Sequence, residues 1–255
     1  MLILSPLEQF QILSLITINI YDFDLSFTNA LLINIIILTG FGIVLYCNSS
    51  TKNKTISFFL YPNNWQALIE FIYIVISQLV FDLITSNNKK YFPFIVILFL
   101  FILFNNLIGL IPYSFTITSH LIITFALSFS IFIGINIISF KRHNIAMFSL
   151  FLPANTTFFL ALLLVPIEFI SYVAKPISLG VRLFINLMAG HTLLKVIVGF
   201  AWNIVLLESI YSISFIIPII ILIILMGLEF SVALIQTYVF ITLTCIYINE
   251  SEVLH

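Results

Sequence analysis

Three cations lie where the chain is most apolar. Lys175, Arg182 and Lys195 interrupt one hydrophobic region, and Glu168 and Glu229 are acidic residues set in equally apolar surroundings. A charged side chain at the centre of a membrane helix costs roughly 2.5 to 3.5 kcal/mol on insertion scales, so each needs a partner, water or a task. Glu168, Lys175 and Arg182 are spaced by seven residues. On an ideal helix they drift by only about 20° per step and make one stripe, which Asn186 continues four residues on. His191 comes nine residues after Arg182, about half a turn away around the axis. A tilted helix with polar groups on two faces, displaced along its length, can line two aqueous cavities that open to opposite sides of a membrane. Protons or sodium ions can use each cavity, while a fixed guanidinium between the cavities repels a cation that tries to pass directly. Something that moves must then carry the ion from one cavity to the other.

The elements that position these residues follow from composition. Of 255 residues 62% are hydrophobic and 7% charged, too little polar surface for a water-soluble domain. Several apolar runs reach the length of about 20 residues that a spanning helix needs, and the alternating segments of a transmembrane barrel are absent. The expected fold is an all-α membrane protein, 1–255 forming a single transmembrane domain. About five crossings are expected, at 30–47, 92–111, 118–140, 158–202 and 210–249, the last two long, tilted and paired as a membrane-embedded hairpin, with kinks allowed at Pro166, Pro176 and Pro218. Segment 65–83 reads differently. Trp65, Leu68, Ile69, Ile72, Ile76, Leu79, Val80 and Leu83 recur at helical spacing among Gln66, Glu70, Ser77, Gln78 and Asp82, the pattern of an amphipathic helix lying in the interface.

Charge sets the orientation. Six of the nine Lys and Arg residues, namely Lys52, Lys54, Lys89, Lys90, Lys141 and Arg142, lie outside the apolar runs and fall on one side of such a topology. By the positive-inside rule that side is the matrix or cytoplasm, which leaves the N-terminus outside and, after five crossings, the C-terminus inside. The start "MLILSPLEQF" has neither a basic secretory n-region nor the arginines of a transit peptide, which points to synthesis in a bacterium or inside an organelle. An excess of Phe, Ile, Asn and Tyr with few Ala and Gly points to an A+T-rich genome, which together with the motif resemblance given below favours a mitochondrial inner membrane over a bacterial plasma membrane. Net charge is only -1, so nothing points to nucleic acid, and Cys47 and Cys245 make no metal spacing. No cofactor or metal is expected.

The segment "IEFISYVAKPISLGVRLFINLMAGH", with "GLEFSVALIQTYVFITLT" after it, resembles subunit a of the F-type ATP synthases. The likeness extends to "IPYSFTITSH", "FSLFLPA" and the terminal "LH", and so covers most of the chain after residue 90. The resemblance implies a stator proton channel, a non-catalytic part of a rotary motor. Arg182 would face the carboxylate of a rotating ring of c subunits, with Gln236 close by and Asn186 a polar neighbour. His191 and Glu229 would belong to the outer half-channel and Glu168 to the inner one. Partners would be the c-ring, the peripheral stalk and other Fo subunits, lipid, and protons themselves. Small residues Ala174, Ser178, Gly180, Ala189 and Gly190 would let the ring come close. No G-x-x-x-x-G-K-[ST] loop occurs, so ATP chemistry would belong to other subunits.

Blander readings compete residue by residue. Arg182 can pair with a neighbouring glutamate and lock packing, Glu229 and Gln236 can be interhelical hydrogen-bonding groups, and His191 can be a satisfied core histidine. Lys195 is expected to snorkel to an interface. Of rival functions, a haem-binding subunit needs paired histidines within spans, and His120, His143, His191 and His255 do not supply them. A stand-alone ion-coupled secondary transporter is the alternative, although matching halves with broken helices are not visible.

Overall fold

The computed structural model describes residues 8–20, 23–24, 26–50, 64–84, 88–111, 115–144, 147, 158–206 and 216–252. Lys52, Lys54, Asp22, Pro112, "FSLFLPA" and the terminal "LH" lie outside the described residues, as do the side chains of Cys47 and Trp65. The described residues form six α-helices: α1 (Asn29–Ser50), α2 (Asn64–Leu83), α3 (Asn88–Gly109), α4 (Leu121–His143), α5 (Phe158–Leu206) and α6 (Ile216–Glu252). A helix satisfies its backbone internally, as hydrocarbon requires. Several polar side chains within the apolar stretches bond their own helix as well. Asn105 Nδ2 donates to the Phe101 carbonyl at 2.8 Å and Ser130 Oγ to the Leu127 carbonyl at 2.8 Å.

Among the described residues five helices are long and apolar enough to cross a membrane, α2 to α6, and Asn29–Gly40 of α1 is a shorter apolar helix. The last two are the longest, as expected. At 49 residues α5 extends about 74 Å at about 1.5 Å per residue, over twice a hydrocarbon layer of about 30 Å. It is one continuous helix. Pro166 and Pro176 lie inside it, each lacking the N–H that the carbonyl four residues earlier would use. Pro218 is in the first turn of α6, where no such bond is lost. α4 runs on through Lys141, Arg142 and His143, past the expected stop at 140, and Asn144 with φ 50° ends it in the left-handed conformation.

The leader adds what the hydropathy pattern did not suggest. β1 (Ser14–Ile16) pairs antiparallel with β4 (Phe27–Thr28), and β2 (Asn19–Ile20) with β3 (Phe23–Asp24). Asn29, the first residue of α1, ties this segment down: its Nδ2 donates to the Gln11 carbonyl at 3.1 Å, and its Oδ1 accepts from Leu13 N at 3.2 Å.

The chain divides into two compact units, with boundaries that fall inside helices. One comprises Met1–Cys47, Phe101–Leu121 and Leu183–Thr237; the other comprises Asn48–Leu100, Ile122–Arg182 and Tyr238–His255. In the second, a buried carboxylate gathers three helix ends. Glu252 of α6 forms an ion pair with Arg142 of α4 at 2.5 Å and accepts from Tyr91 Oη of α3 at 2.7 Å, while His143 Nε2 lies 3.2 Å from the Glu252 backbone carbonyl. In the same unit α5 lies directly on α4. A Cβ at Gly180 would stand 2.7 Å from Ser128 Oγ and 3.2 Å from the Thr124 carbonyl. Tyr172 of α5 donates to Asn136 of α4.

Candidate functional site

In the first unit, α3, α5 and α6 enclose a cavity of about 260 Å³. Its walls are mostly leucine, valine and alanine, with five polar side chains: Asn106, Asn186, His191, Glu229 and Gln236. Helical spacing explains why α5 and α6 can share it. Asn186 and Gly190 are one turn apart on α5 and His191 adjoins Gly190, while Glu229 and Gln236 are two turns apart on α6.

Two contacts fix the polar wall. Asn186 Nδ2 donates to Gln236 Oε1 at 2.9 Å, which orients both amides. Glu229 lies against Gly190, where a Cβ would be only 2.9 Å from the carboxyl carbon and closer still to one oxygen. The absence of a side chain at Gly190 is what lets the carboxyl group reach α5.

His191 is buried, 8% exposed, with the backbone of Gly109 beside its imidazole and the ring of Phe10 edge-on at a centroid distance of 5.9 Å. Its Nε2, both oxygens of Glu229, the Gln236 amide nitrogen and both polar atoms of Asn106 are buried without a hydrogen-bonding partner among the described residues. Buried polar atoms are normally paired, so this concentration in one cavity is chemically informative. The space far exceeds the roughly 30 Å³ that a water occupies in the liquid, and water has the polar partners it needs here. The arrangement can conduct protons along a short hydrated path between an imidazole and a carboxyl group.

Four of the six expected residues therefore meet: His191, Glu229, Asn186 and Gln236. Glu168 and Arg182 do not line this cavity; both belong to the other unit and both are exposed on α5. The charge of Arg182 is felt at Tyr247, but no hydrogen bond or ion pair joins it to a described residue. The pairing of Arg182 with a neighbouring glutamate, weighed from sequence, is not found among the described residues. Ala174, Ser178, Arg182, Ile185 and Ala189 are all exposed, and their spacing of three or four residues makes one stripe along α5.

Gly180 requires a correction. It was expected to open space for a partner, yet it is buried and its missing side chain admits α4. Gly190 likewise makes room for Glu229 rather than for another chain.

Sequence reasoning missed three groups. Asn106, 1% exposed, was passed over because two adjacent asparagines inside an apolar run point to different sides of a helix and carry no spacing signal. Glu250 pairs with Lys175 at 2.5 Å, and Lys175 Nζ also lies 4.9 Å from the Tyr247 ring centroid and 5.8 Å from that of Tyr172. Glu252, the third, sits in the clamp described above. Both glutamates are near the end of the chain, where acidic residues usually mean a solvated tail. Cys245 is buried and free, as a packed structural thiol. No cluster of three or more His, Cys, Asp or Glu with metal-binding geometry occurs among the described residues.

Comparison with known proteins adds an independent line. Residues 30–249 match the family model described as ATP synthase A chain. Curated relatives cover nearly the whole chain. ATP synthase subunit a of Pylaiella littoralis is 49% identical over 251 residues, 98% of this chain and 99% of the relative. ATP synthase subunit a of Brassica napus is 47% identical over 256 residues (98% and 97%), and that of Chondrus crispus 44% over 254 (100% and 98%).

Proposed function

We propose a path for protons through this chain, starting from the fact that it belongs to the ATP synthase A chain family. It is a multi-pass membrane protein, the proton-conducting and non-catalytic subunit a of the Fo sector, so the stand-alone transporter reading falls away.

Protons enter the cavity of His191 and Glu229, pass the amides of Asn186 and Gln236, and neutralise a carboxylate on a rotating ring of c subunits. The ring carries them through lipid. As the neutral carboxyl group comes past the Glu168 side it ionises, because Arg182 attracts the charged form. Arg182 also bars a direct leak. Each proton crossing 100 mV yields about 2.3 kcal/mol, which reaches ATP synthesis only if the ion must ride the ring. Glu250, held by Lys175 two turns along α5 from Glu168, is a second carboxylate for the exit in this scheme.

One observation carries the reading. Arg182 stands exposed in a stripe of small and aliphatic residues, with no ion pair to a described residue. An arginine left so in hydrocarbon is costly, and a carboxylate on a facing helix removes the cost. The ring, the peripheral stalk and other Fo subunits are the partners of this proposal, and 1–255 acts as one transmembrane domain.

The positive-inside rule supports an inner membrane of the mitochondrion, N-terminus outside and C-terminus in the matrix. That orientation needs α2 to lie in the interface, because a crossing there would put Lys89 and Lys90 on the opposite side from Lys52 and Lys54. Replacing Arg182 with Ala tests the assignment: the complex should assemble, lose proton-driven ATP synthesis and open a passive leak. Normal coupled synthesis by an assembled Arg182→Ala complex would refute it.

A further inference from the structure

We propose that Phe10, in the amino-terminal leader, is a positioning residue for proton uptake: it seats the imidazole of His191 in the cavity wall. The proposal rests on the reading above, in which His191 takes up the proton.

The leader is not free to wander. A 3-10 turn at Glu8–Phe10 is followed by Gln11, whose N–H donates to the Glu8 carbonyl at 3.2 Å. One and three residues beyond Phe10 the chain is fastened to the start of α1. Gln11 O receives Asn29 Nδ2 at 3.1 Å, Leu13 N donates to Asn29 Oδ1 at 3.2 Å, and Asn29 N donates to Leu13 O at 3.1 Å. Neighbouring Ile12, Leu13, Leu15 and Ile16 are exposed, whereas Phe10 is buried at 6%. Alone among these large apolar residues it is turned inward, and what it meets there is His191, edge-on with an interplanar angle of 64°.

The geometry gives this contact a purpose. An imidazole moves a proton only when its nitrogens point along the path, and a ring with free space behind it can rotate away from that direction. Phe10 does not line the cavity. It packs on the imidazole from outside that lining, while the backbone of Gly109 lies close by, and Nε2 remains buried and unbonded on a residue that shares its cavity with Glu229. A phenyl ring takes up no proton, so it braces the imidazole without competing for one. Phe10 is also an apolar seal on that side, which leaves the polar cavity as the way to the ring.

The test uses the assembled complex in membrane vesicles, with proton flux measured for Phe10→Ala, Phe10→Tyr, Asn29→Ala and His191→Ala, and for the double variant Phe10→Ala with His191→Ala. Phe10→Ala should lower flux by about twofold to tenfold, the range that losing one edge-to-face ring contact spans. Phe10→Tyr keeps the ring and should retain most of the flux. Asn29→Ala, which unfastens the leader, should resemble Phe10→Ala. In the His191→Ala background the Phe10→Ala change should cost nothing further. Equal losses with and without His191 would make Phe10 a merely structural residue and overturn the proposal, as would normal flux in Phe10→Ala while His191→Ala is impaired. A fully active His191→Ala complex would instead strike at the underlying assignment of His191.

Discussion

Gly190 is the residue at which a single methyl group tests the cavity. A Cβ there would be 2.9 Å from the Glu229 carboxyl carbon and 3.1 Å from its Cγ, against 3.4 Å for ordinary contact. The carboxyl carbon must therefore retreat by at least 0.5 Å (3.4 minus 2.9), and the nearer oxygen by more. Glu229 can swing away because the cavity has room, so the complex should still assemble, with at most the roughly 1 to 3 kcal/mol that overpacking costs. Function should suffer more. A reacting group misplaced by about 1 Å can lose about a hundredfold in rate, and a half-ångström displacement from the His191 side is expected to cost about tenfold in proton flux. The assay is ATP-driven proton pumping in vesicles containing Gly190→Ala, with complex content measured in parallel. Glu229→Asp in the same background withdraws the carboxyl group by one methylene and should recover part of the loss. Wild-type pumping by an assembled Gly190→Ala complex would refute the claim that Glu229 works from its seat against α5.

Three further outcomes are expected. Cysteines placed beside His191 and beside Glu168 should be labelled by a membrane-impermeant thiol reagent from opposite sides, and labelling of both from one side only would break the two-cavity scheme. Gly180→Leu should lower the amount of folded subunit through collision with Thr124 and Ser128 of α4; a normal amount of complex with impaired ring contact would restore the discarded view of that glycine. His120, between α3 and α4, is half-buried, and that partial burial holds its imidazole below its ordinary value of 6.5. The unfolded chain thus binds the proton more readily, so the stability contributed is complete above about pH 6.5 and declines as pH falls from there through the folded-state value. His120→Leu should flatten the dependence of unfolding temperature on pH in that acid window, and an unchanged slope would remove His120 as its cause.

Much of α5 was legible because a helix fixes angular positions rigidly. Glu168, Arg182, Asn186 and His191 keep their spacing through a helix that contains two prolines, and the polar faces follow from counting residues. The composition alone required spanning helices, since no other open structure satisfies its backbone in lipid. What escaped was tertiary. Glycines at 180 and 190 look alike in sequence, but one admits a backbone and the other a carboxyl group, and no periodicity records which neighbour arrives. Asn105 and Asn106 are adjacent, yet Asn105 bonds its own helix while Asn106 turns its unpaired amide into the cavity. Glu250 and Glu252 take their meaning from Lys175, Arg142 and Tyr91, distant in sequence. The short leader strands and the inward turn of Phe10 depend on Asn29, a residue that reads only as the start of a span.

The central claim is that the exposed stripe of α5 meets a moving carboxylate at Arg182. A density map of the assembled complex tests it most directly. It should show Ala174, Ser178, Ile185 and Ala189 against helices of the ring, with the Arg182 guanidinium within about 4 Å of a ring carboxylate, or one water away, in at least one rotary position. A map in which that stripe faces lipid, or in which Arg182 pairs with a fixed carboxylate of the stator, would contradict the account.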